Sequence, residues 1–234
     1  MSTKSSRETR RQRRQQQQRR QMIRNLLIIA GVVLLIAAGI IYASLRPIGD
    51  IVEITPRDLQ NANGLTLGDP NAPVVVEAFE DFQCPACLSF TQTVEPQLIA
   101  SYVDTGQVLF IYRHYPFIGQ ESSAASNASM CANEQDRFWD YHDILFANQT
   151  GENIGAFSNR RLQAFAETLG LNMDNFNACF RENRYDDQIK EDKANGLASQ
   201  VTGTPTIFVN GQILSSFAYP TIQAAIETAL ATSP

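Results

Sequence analysis

The sequence predicts an α/β domain with an inserted helical subdomain, carried behind a single transmembrane helix. Three patterns predict this class: an uncharged run of twenty residues near the N-terminus, a strand–helix–strand pattern over residues 74–112, and a helix-rich region followed by a short hairpin pattern. With 234 residues, the chain is longer than an ordinary domain of about 100 to 200 residues, so we expect one domain plus an N-terminal extension.

Residues 1–25 form a basic tail. Residues 1–24 contain nine Lys or Arg residues and a single acidic residue, Glu8. Since so polar a segment cannot bury an apolar core, we expect it to be disordered. Of the 19 basic and 24 acidic residues in the chain, 10 and 23 lie beyond the tail, so the remainder carries a net charge of −13.

Residues 26–45 are predicted to form a transmembrane helix. They contain no charged residue. At a rise of ~1.5 Å per residue, a helix of this length spans the ~30 Å hydrocarbon layer. A cleaved signal peptide is the main alternative, but its apolar region is only about 7 to 15 residues long. The sole cleavage site, near Ala43, is a poor one, so we favour an uncleaved anchor.

The basic tail also predicts the orientation of this helix, because basic flanking residues stay on the cytoplasmic side. The expected location is therefore the cytoplasmic membrane, crossed once, with the N-terminus in the cytoplasm and the C-terminal domain extracytoplasmic. A topology signal explains the arginine run more simply than nucleic-acid binding does, so we expect no nucleic-acid partner.

Residues 46–64 are predicted to be a stalk, because they lack periodicity and carry Pro, Asn and Gly. The domain is expected to cover residues 65–234. Its first strand, at 74–79, leads to a helix that starts at Pro85, is kinked at Pro96 and ends near residue 101. A second strand follows at 107–112, parallel to the first if the helix is a crossover.

Residues 119–200 are predicted to be a helical insertion, because helical periodicity replaces strand patterns there. The α/β pattern resumes at residue 206, where Asn210-Gly211 between two apolar runs predicts a hairpin. A closing helix is expected at 220–230. The helices expected in the insertion span residues 122–133, 137–146, 159–169, 175–182 and 186–200.

All four cysteines lie beyond the transmembrane segment. In an oxidising compartment, an even number of cysteines suggests disulfides. Four cysteines allow three pairings. Because Cys84 and Cys87 are close in sequence and the others are isolated, we expect Cys84 to pair with Cys87 and Cys131 with Cys179.

The motif Cys84-Pro85-Ala86-Cys87 is predicted to be redox-active. A strand leads to Cys84 and a helix starts behind it, so the Cys84 thiol meets unpaired N–H groups that favour its thiolate. Cys87, one turn further on, is placed to resolve a mixed disulfide. Pro85 stiffens the loop. A four-cysteine zinc site would need a second close pair, which the chain lacks, so we expect no metal.

Several motifs from Ala72 to Gly211 resemble those of the DsbA-like thiol–disulfide oxidoreductases, in particular the membrane-anchored ones. The resemblance covers nearly all of residues 65–234 and implies a thioredoxin fold with a helical insertion. The motifs are Ala72-Pro73-Val74, Asp81-Phe82-Gln83-Cys84-Pro85-Ala86-Cys87, Tyr112-Arg113-His114-Tyr115-Pro116, Cys131-Ala132 with Phe138-Trp139-Asp140-Tyr141-His142-Asp143, and Gly203-Thr204-Pro205-Thr206 before Val209-Asn210-Gly211.

The resemblance implies that Thr204-Pro205 is the family's cis-proline element, which lies beside the active-site disulfide and binds an extended substrate segment. An ordinary trans proline at the start of a strand is the alternative. The resemblance also implies a bridge in the insertion, which we interpret as a structural disulfide between Cys131 and Cys179. A second redox relay and two free thiols remain alternatives.

The predicted function is disulfide formation in reduced or unfolded exported proteins. The resemblance implies reoxidation by a quinone-linked membrane partner, similar to DsbB or to vitamin K epoxide reductase, and no cofactor in this chain. A reductase or isomerase of the same fold is the alternative within enzymes, since local residues do not set the direction. A non-catalytic peptide-binding module is an alternative from another class.

Two departures from the family pattern affect the site. The commonest strong oxidants have histidine at the position of Ala86. Many relatives also carry a buried acid at the position of Ala78, where Glu77 and Glu80 are the nearby acids. Side chains alternate along a strand, so Glu80 shares a face with Ala78 and Glu77 does not. Which of the two acids assists Cys87 stays open at this point.

The two histidines, His114 and His142, are predicted to be packing residues. Disulfide exchange needs no dedicated histidine, and both lie in aromatic sequence contexts.

Overall fold

The computed structural model describes residues 3–44, 47–59 and 61–232. It contains two compact units, Met1–Gly49 and Asp50–Pro234. The first consists of one helix, α1 (Thr3–Ser44), in which the stretch Gln18–Tyr42 is long and apolar enough to cross a membrane. The basic tail was expected to be disordered, but the helix extends back to Thr3. Arg and Gln have high helix propensity, so they can prolong a helix that the apolar run has started.

The second unit is built on a six-stranded sheet with the order β1-β2-β4-β3-β5-β6. The central strands β3 and β4 are parallel, as the sequence predicted, and β5 runs antiparallel to β3. Buried and half-buried side chains alternate along β4, so one face of this strand is covered more completely than the other. The strands are β1 (Ala62–Asn63), β2 (Thr66–Leu67), β3 (Val74–Glu80), β4 (Val108–His114), β5 (Thr206–Val209) and β6 (Gln212–Ile213).

The crossover between β3 and β4 is interrupted near Pro96 instead of being one kinked helix. Helix α2 (Pro85–Thr93) ends just before the short helix α3 (Glu95–Leu98), and a π-helical turn (Ile99–Val103) follows. Proline has no backbone N–H and clashes with the preceding turn, which explains the break.

The insertion consists of five helices, close to the predicted bounds. They are α4 (Gln120–Asn133), α5 (Phe138–Ala147), α6 (Asn159–Thr168), α7 (Met173–Glu182) and α8 (Asp186–Ala198).

The turn at Asn210 and Gly211 has positive φ at both residues, as this type of tight hairpin requires, and connects β5 to β6. The closing helix is α9 (Tyr219–Thr232).

Residues 50–59, predicted to be part of a stalk, lie in the same compact unit as the domain. They have no regular secondary structure, but Ile51, Ile54 and Leu59 pack against the core. The backbone N–H and C=O of Val52 both bond the side-chain amide of Asn148, at 2.8 and 2.9 Å. Because the segment forms no helix or strand, its contacts with the core follow no period that the sequence could reveal.

Candidate active site

Cys84 caps the N-terminus of α2, directly behind the central strand. Its backbone is extended, with φ −73° and ψ 121°, and Pro85 occupies the first turn. The amide of Cys84 donates to the carbonyl of Asp81 at 2.9 Å. This geometry places the Cys84 thiol at the helix end where N–H groups lack intrahelical partners. The sequence prediction for this residue rested on the same arrangement.

The environment of Cys84 favours its thiolate. The pKa of Cys84 is lowered to about 6. The largest cause is contact with the Cys87 thiol, followed by the Thr204 side chain and the backbone amides of Cys87 and Ala86, while burial opposes the shift. As a thiol, Cys84 donates to the carbonyl oxygen of Thr204 at 3.2 Å. The buried hydroxyl of Thr204 has no hydrogen-bond partner among the described residues, so it is available to donate to the thiolate.

Cys87 has the opposite character. Its side chain is fully buried, and burial, followed by the Cys84 thiol and the Glu80 carboxylate, raises the pKa of Cys87 well above the ordinary value. The structure holds both cysteines as free thiols. One thiol is therefore poised to react near neutral pH, and its neighbour is protonated and shielded.

The peptide bond between Thr204 and Pro205 is cis. The Cys84 contact with Thr204 joins residues 120 positions apart, so the loop before β5 lies directly against the redox motif. Thr204, which the sequence analysis predicted to bind substrate together with Pro205, therefore lies beside Cys84.

The structure distinguishes the two acids that the sequence left open. Glu77 is partly exposed and pairs with Arg113 at 2.8 Å. Glu80 is fully buried on the opposite side of β3, and neither of its oxygens has a hydrogen-bond partner among the described residues. Burial, followed by Glu95 and Cys84, raises the pKa of Glu80 well above its ordinary value, and the adjacent Cys87 thiol opposes the rise.

Further polar residues hold the loop before Cys84, and the sequence analysis missed them. The side-chain amide of Gln149 donates to the backbone carbonyls of Phe82 at 2.7 Å and Cys84 at 3.1 Å. The buried carboxylate of Asp81 accepts from the backbone amides of Phe117 and Ile118. Only the position of Asp81 within the redox motif could have marked it, and no local signal marks Gln149.

Glu80, Glu95 and His142 form a buried group whose side-chain oxygen and nitrogen atoms lie within 4.8 Å of one another. The ring of His142 packs against Phe82 and Phe146, as its predicted packing role requires. Its two nitrogens also face the carboxylates of Glu95 and Asp143. The absence of a metal stays a prediction.

Cys131 and Cys179 form a disulfide between α4 and α7, with their Cα atoms 5.8 Å apart. Both are fully buried in the insertion. The pairing is the one that the spacing favoured.

Comparisons with known proteins agree with this arrangement. The family model described as Thioredoxin matches residues 60–228. The chain is 30% identical over 175 residues to "Disulfide bond formation protein D" of Bacillus subtilis, covering 70% of this chain and 76% of that protein. It is 29% identical over 192 residues to "Probable disulfide bond formation protein D" of Bacillus anthracis, covering 76% and 88%.

Among solved structures, the chain is similar to oxidised BdbD from Bacillus subtilis, with 27% identity and a TM-score of 0.67 over 78% of this chain and 100% of that one. A likeness to α-DsbA1 from Wolbachia pipientis, at 24% identity and a TM-score of 0.65 over 75% of this chain and 95% of that one, supports the fold. The predicted thioredoxin fold with a helical insertion is confirmed.

Proposed function

Since the chain belongs to the DsbA-like thiol–disulfide oxidoreductases of the thioredoxin family, we propose that its Cys84–Cys87 pair forms disulfides in exported proteins. The observation that supports this direction is the lowered pKa of Cys84, about 6. A stabilised Cys84 thiolate favours the reduced form of the enzyme, and an enzyme with a stable reduced form oxidises its substrates.

The reaction begins with the oxidised pair. A substrate thiolate attacks the Sγ atom of Cys84, the bond between Cys84 and Cys87 breaks, and Cys87 leaves as a thiolate that takes up a proton. A second substrate thiolate then attacks the substrate sulfur of the mixed disulfide and expels the Cys84 thiolate. The substrate gains a disulfide, and its electron pair now resides on the two enzyme cysteines.

Glu80 is the proposed proton donor to Cys87. It is fully buried, shares the face of β3 that the family's acid would occupy, and has no other hydrogen-bond partner among the described residues. Since burial keeps its carboxyl protonated to a higher pH than usual, it has a proton to supply when Cys87 leaves. Glu77, paired with Arg113 on the other face, is not suited to this role.

The backbone at Thr204-Pro205 is the proposed substrate-binding element. The contact between Thr204 and Cys84 places it beside the reacting sulfur. An extended substrate segment pairing there as an added strand would deliver its cysteine to Cys84.

The proposed setting is the outer side of the cytoplasmic membrane, with α1 as the anchor and the basic tail in the cytoplasm. Reduced Cys84 and Cys87 would be reoxidised there by a quinone-linked membrane partner of the DsbB or vitamin K epoxide reductase type. The chain itself needs no cofactor for the exchange.

The reduction potential of the Cys84–Cys87 pair tests the direction. We would measure it for the full chain in detergent, equilibrated with glutathione buffers. A potential near about −120 mV supports the oxidase, and one near about −270 mV supports the reductase alternative. A Cys84→Ser variant should lose all activity on a reduced model substrate, and unchanged activity would favour a non-catalytic binding module.

A further inference from the structure

A cluster of titratable side chains lies beneath Cys87, and we call its five members the buried cluster. Glu95 and His142 are fully buried. Asp143 and Arg57 have side-chain exposures of 14% and 29%. The fifth member is Glu80, which lies within 4.8 Å of both Glu95 and His142. The cluster thus runs from the redox pair toward the surface.

Arg57 is the cation of this cluster, although it comes from the segment that precedes the domain. Its guanidinium bonds both carboxylate oxygens of Asp143 at 2.6 Å and one oxygen of Glu95 at 2.9 Å. Such a planar fork fixes the orientation of its partners as well as neutralising them. Among the described residues, no other Lys or Arg forms an ion pair with either acid.

His142 is oriented by the same fork. Its Nδ1 atom lies 2.9 Å from an oxygen of Asp143, which leaves Nε2 directed at the second oxygen of Glu95, 3.8 Å away. That Nε2 atom and that Glu95 oxygen have no hydrogen-bond partner among the described residues. Both oxygens of Glu80 are in the same situation. The unpartnered atoms of three residues therefore face one another, and the remaining atoms of Glu95 and His142 are held by Arg57 and Asp143.

We propose that Arg57 is a positioning residue for the redox pair. It acts on the carboxyl group of Glu80 by two routes, one through Glu95 and one through Asp143 and His142. The segment that joins the anchor to the domain is then part of the catalytic machinery and more than a spacer. The inference rests on the proposed function in one respect, that Glu80 exchanges a proton with Cys87.

Charge explains why Arg57 should matter to Glu80. Three acids in the cluster face one permanent cation. Removal of that cation leaves Glu95, which adjoins Glu80, without its permanent positive partner. A nearby negative charge disfavours ionisation of a carboxyl group, so the pKa of Glu80 should rise further. His114 does not compensate, because burial lowers its pKa to about 3 and keeps it neutral. The titratable groups that face Glu80 are Cys84, Cys87, Glu95, Tyr112, His114 and His142.

The test compares an Arg57→Gln variant with an Arg113→Gln control in the full chain. Arg113 also pairs with a glutamate of β3, Glu77, but on the opposite side of the strand and away from Cys87. The readouts are the infrared carboxyl band of Glu80, assigned by its loss in Glu80→Gln, and the pH profile of the reduction of the disulfide by glutathione. We expect Arg57→Gln to raise the midpoint of both by at least about half a pH unit, a threefold change in proton affinity, and Arg113→Gln to change neither.

A double variant tests whether the effect passes through Glu80. In a Glu80→Gln background, Arg57→Gln should leave the pH profile unchanged, because the group on which it acts is gone. A shift that persists in that background would overturn the proposal, as would an equal shift in Arg113→Gln. If Arg57→Gln does not fold, Arg57→Lys keeps the charge without the fork. This variant should raise the midpoints slightly. Asp143→Asn, which removes a negative charge from the cluster, should lower them by a larger amount. Unchanged midpoints in both variants would also overturn the proposal.

These outcomes are separate from the direction of the reaction. The carboxyl titration uses no protein substrate, and glutathione reduces the pair whether the enzyme acts as an oxidase or as a reductase. A potential near that of thioredoxin would therefore remove the proposed function and leave the role of Arg57 intact.

Discussion

The Sγ atom of Cys84 lies 3.2 Å from the carbonyl oxygen of Thr204, although 120 positions separate the two residues in the chain. The contact joins the helix that carries the redox motif to the cis-proline loop before β5. Thr204 contacts the Cys84 thiol through its backbone carbonyl, and its buried hydroxyl, which has no hydrogen-bond partner among the described residues, is available to the thiolate.

Removal of the Thr204 hydroxyl should raise the pKa of Cys84. A hydrogen bond to a charged group contributes about 1.5 to 3 kcal/mol, so from the lower end of that range we expect Thr204→Val to raise the pKa of Cys84 by about one unit. Thiolate absorbance as a function of pH measures it. Thr206→Val is the matched control, because its hydroxyl bonds the carbonyl of Gly203 and not Cys84. Equal shifts in the two variants would contradict the assignment.

The reduced protein should lose stability as the pH falls, through Cys84. The pKa of Cys84 is lowered from 9.0 to about 6 on folding, so its thiolate stabilises the reduced fold fully above pH 9, and this contribution is lost as the pH falls to about 6. Urea unfolding of the reduced protein and of Cys84→Ser between pH 9 and pH 5 measures it. The difference in unfolding free energy between them should shrink with falling pH, and a difference that grows would refute this sign.

Gln149 should stabilise the loop that presents Cys84. It donates to two backbone carbonyls of that loop, and each such bond contributes about 0.5 to 1.5 kcal/mol. We expect Gln149→Ala to lose about 1 to 3 kcal/mol and to slow disulfide exchange. Gln135→Ala removes two similar bonds, to the backbone of Asn172, away from the redox motif. That control should keep the wild-type rate; if both variants slow exchange equally, Gln149 has no special relation to the site.

The bridge between α4 and α7 should be structural. Replacement of Cys131 and Cys179 together by Ala removes a cross-link that closes a loop over a sequence separation of 48, so we expect a loss of about 2 to 4 kcal/mol in unfolding free energy. Alanine avoids burying two lone thiols. The folded variant should retain the exchange rate of the parent protein. A lost rate at unchanged stability would instead indicate a redox relay.

Much of the fold could be predicted from local patterns. The β-branched run before Cys84, the proline behind it and the Asn210-Gly211 turn each specify a backbone conformation over a few residues, and β3, α2 and the hairpin follow these signals. The helix through the basic tail was not predicted, because a segment without an apolar face shows no helical periodicity. Its arginine and glutamine residues nevertheless have high helix propensity.

The site could be predicted in part. Strand alternation separated Glu77 from Glu80 but could not say which face of β3 is covered, since that depends on the helices packed there. The packing of residues 50–59 was missed for a related reason. Arg57 meets Asp143 across 86 positions of sequence, and no periodicity records such a contact.

The sequence by itself determined the redox motif, its place at a helix N-terminus and the apolar helix near the N-terminus, because each is a matter of neighbouring residues. The spacing of the cysteines favoured the bridge between Cys131 and Cys179 without settling it. Only the tertiary structure decided that Glu80 is the buried acid, that Thr204 touches Cys84 and that Arg57 reaches the cluster beneath Cys87. Those relationships depend on burial and on charges brought together from distant parts of the chain, and both arise only when the sheet and the helices pack.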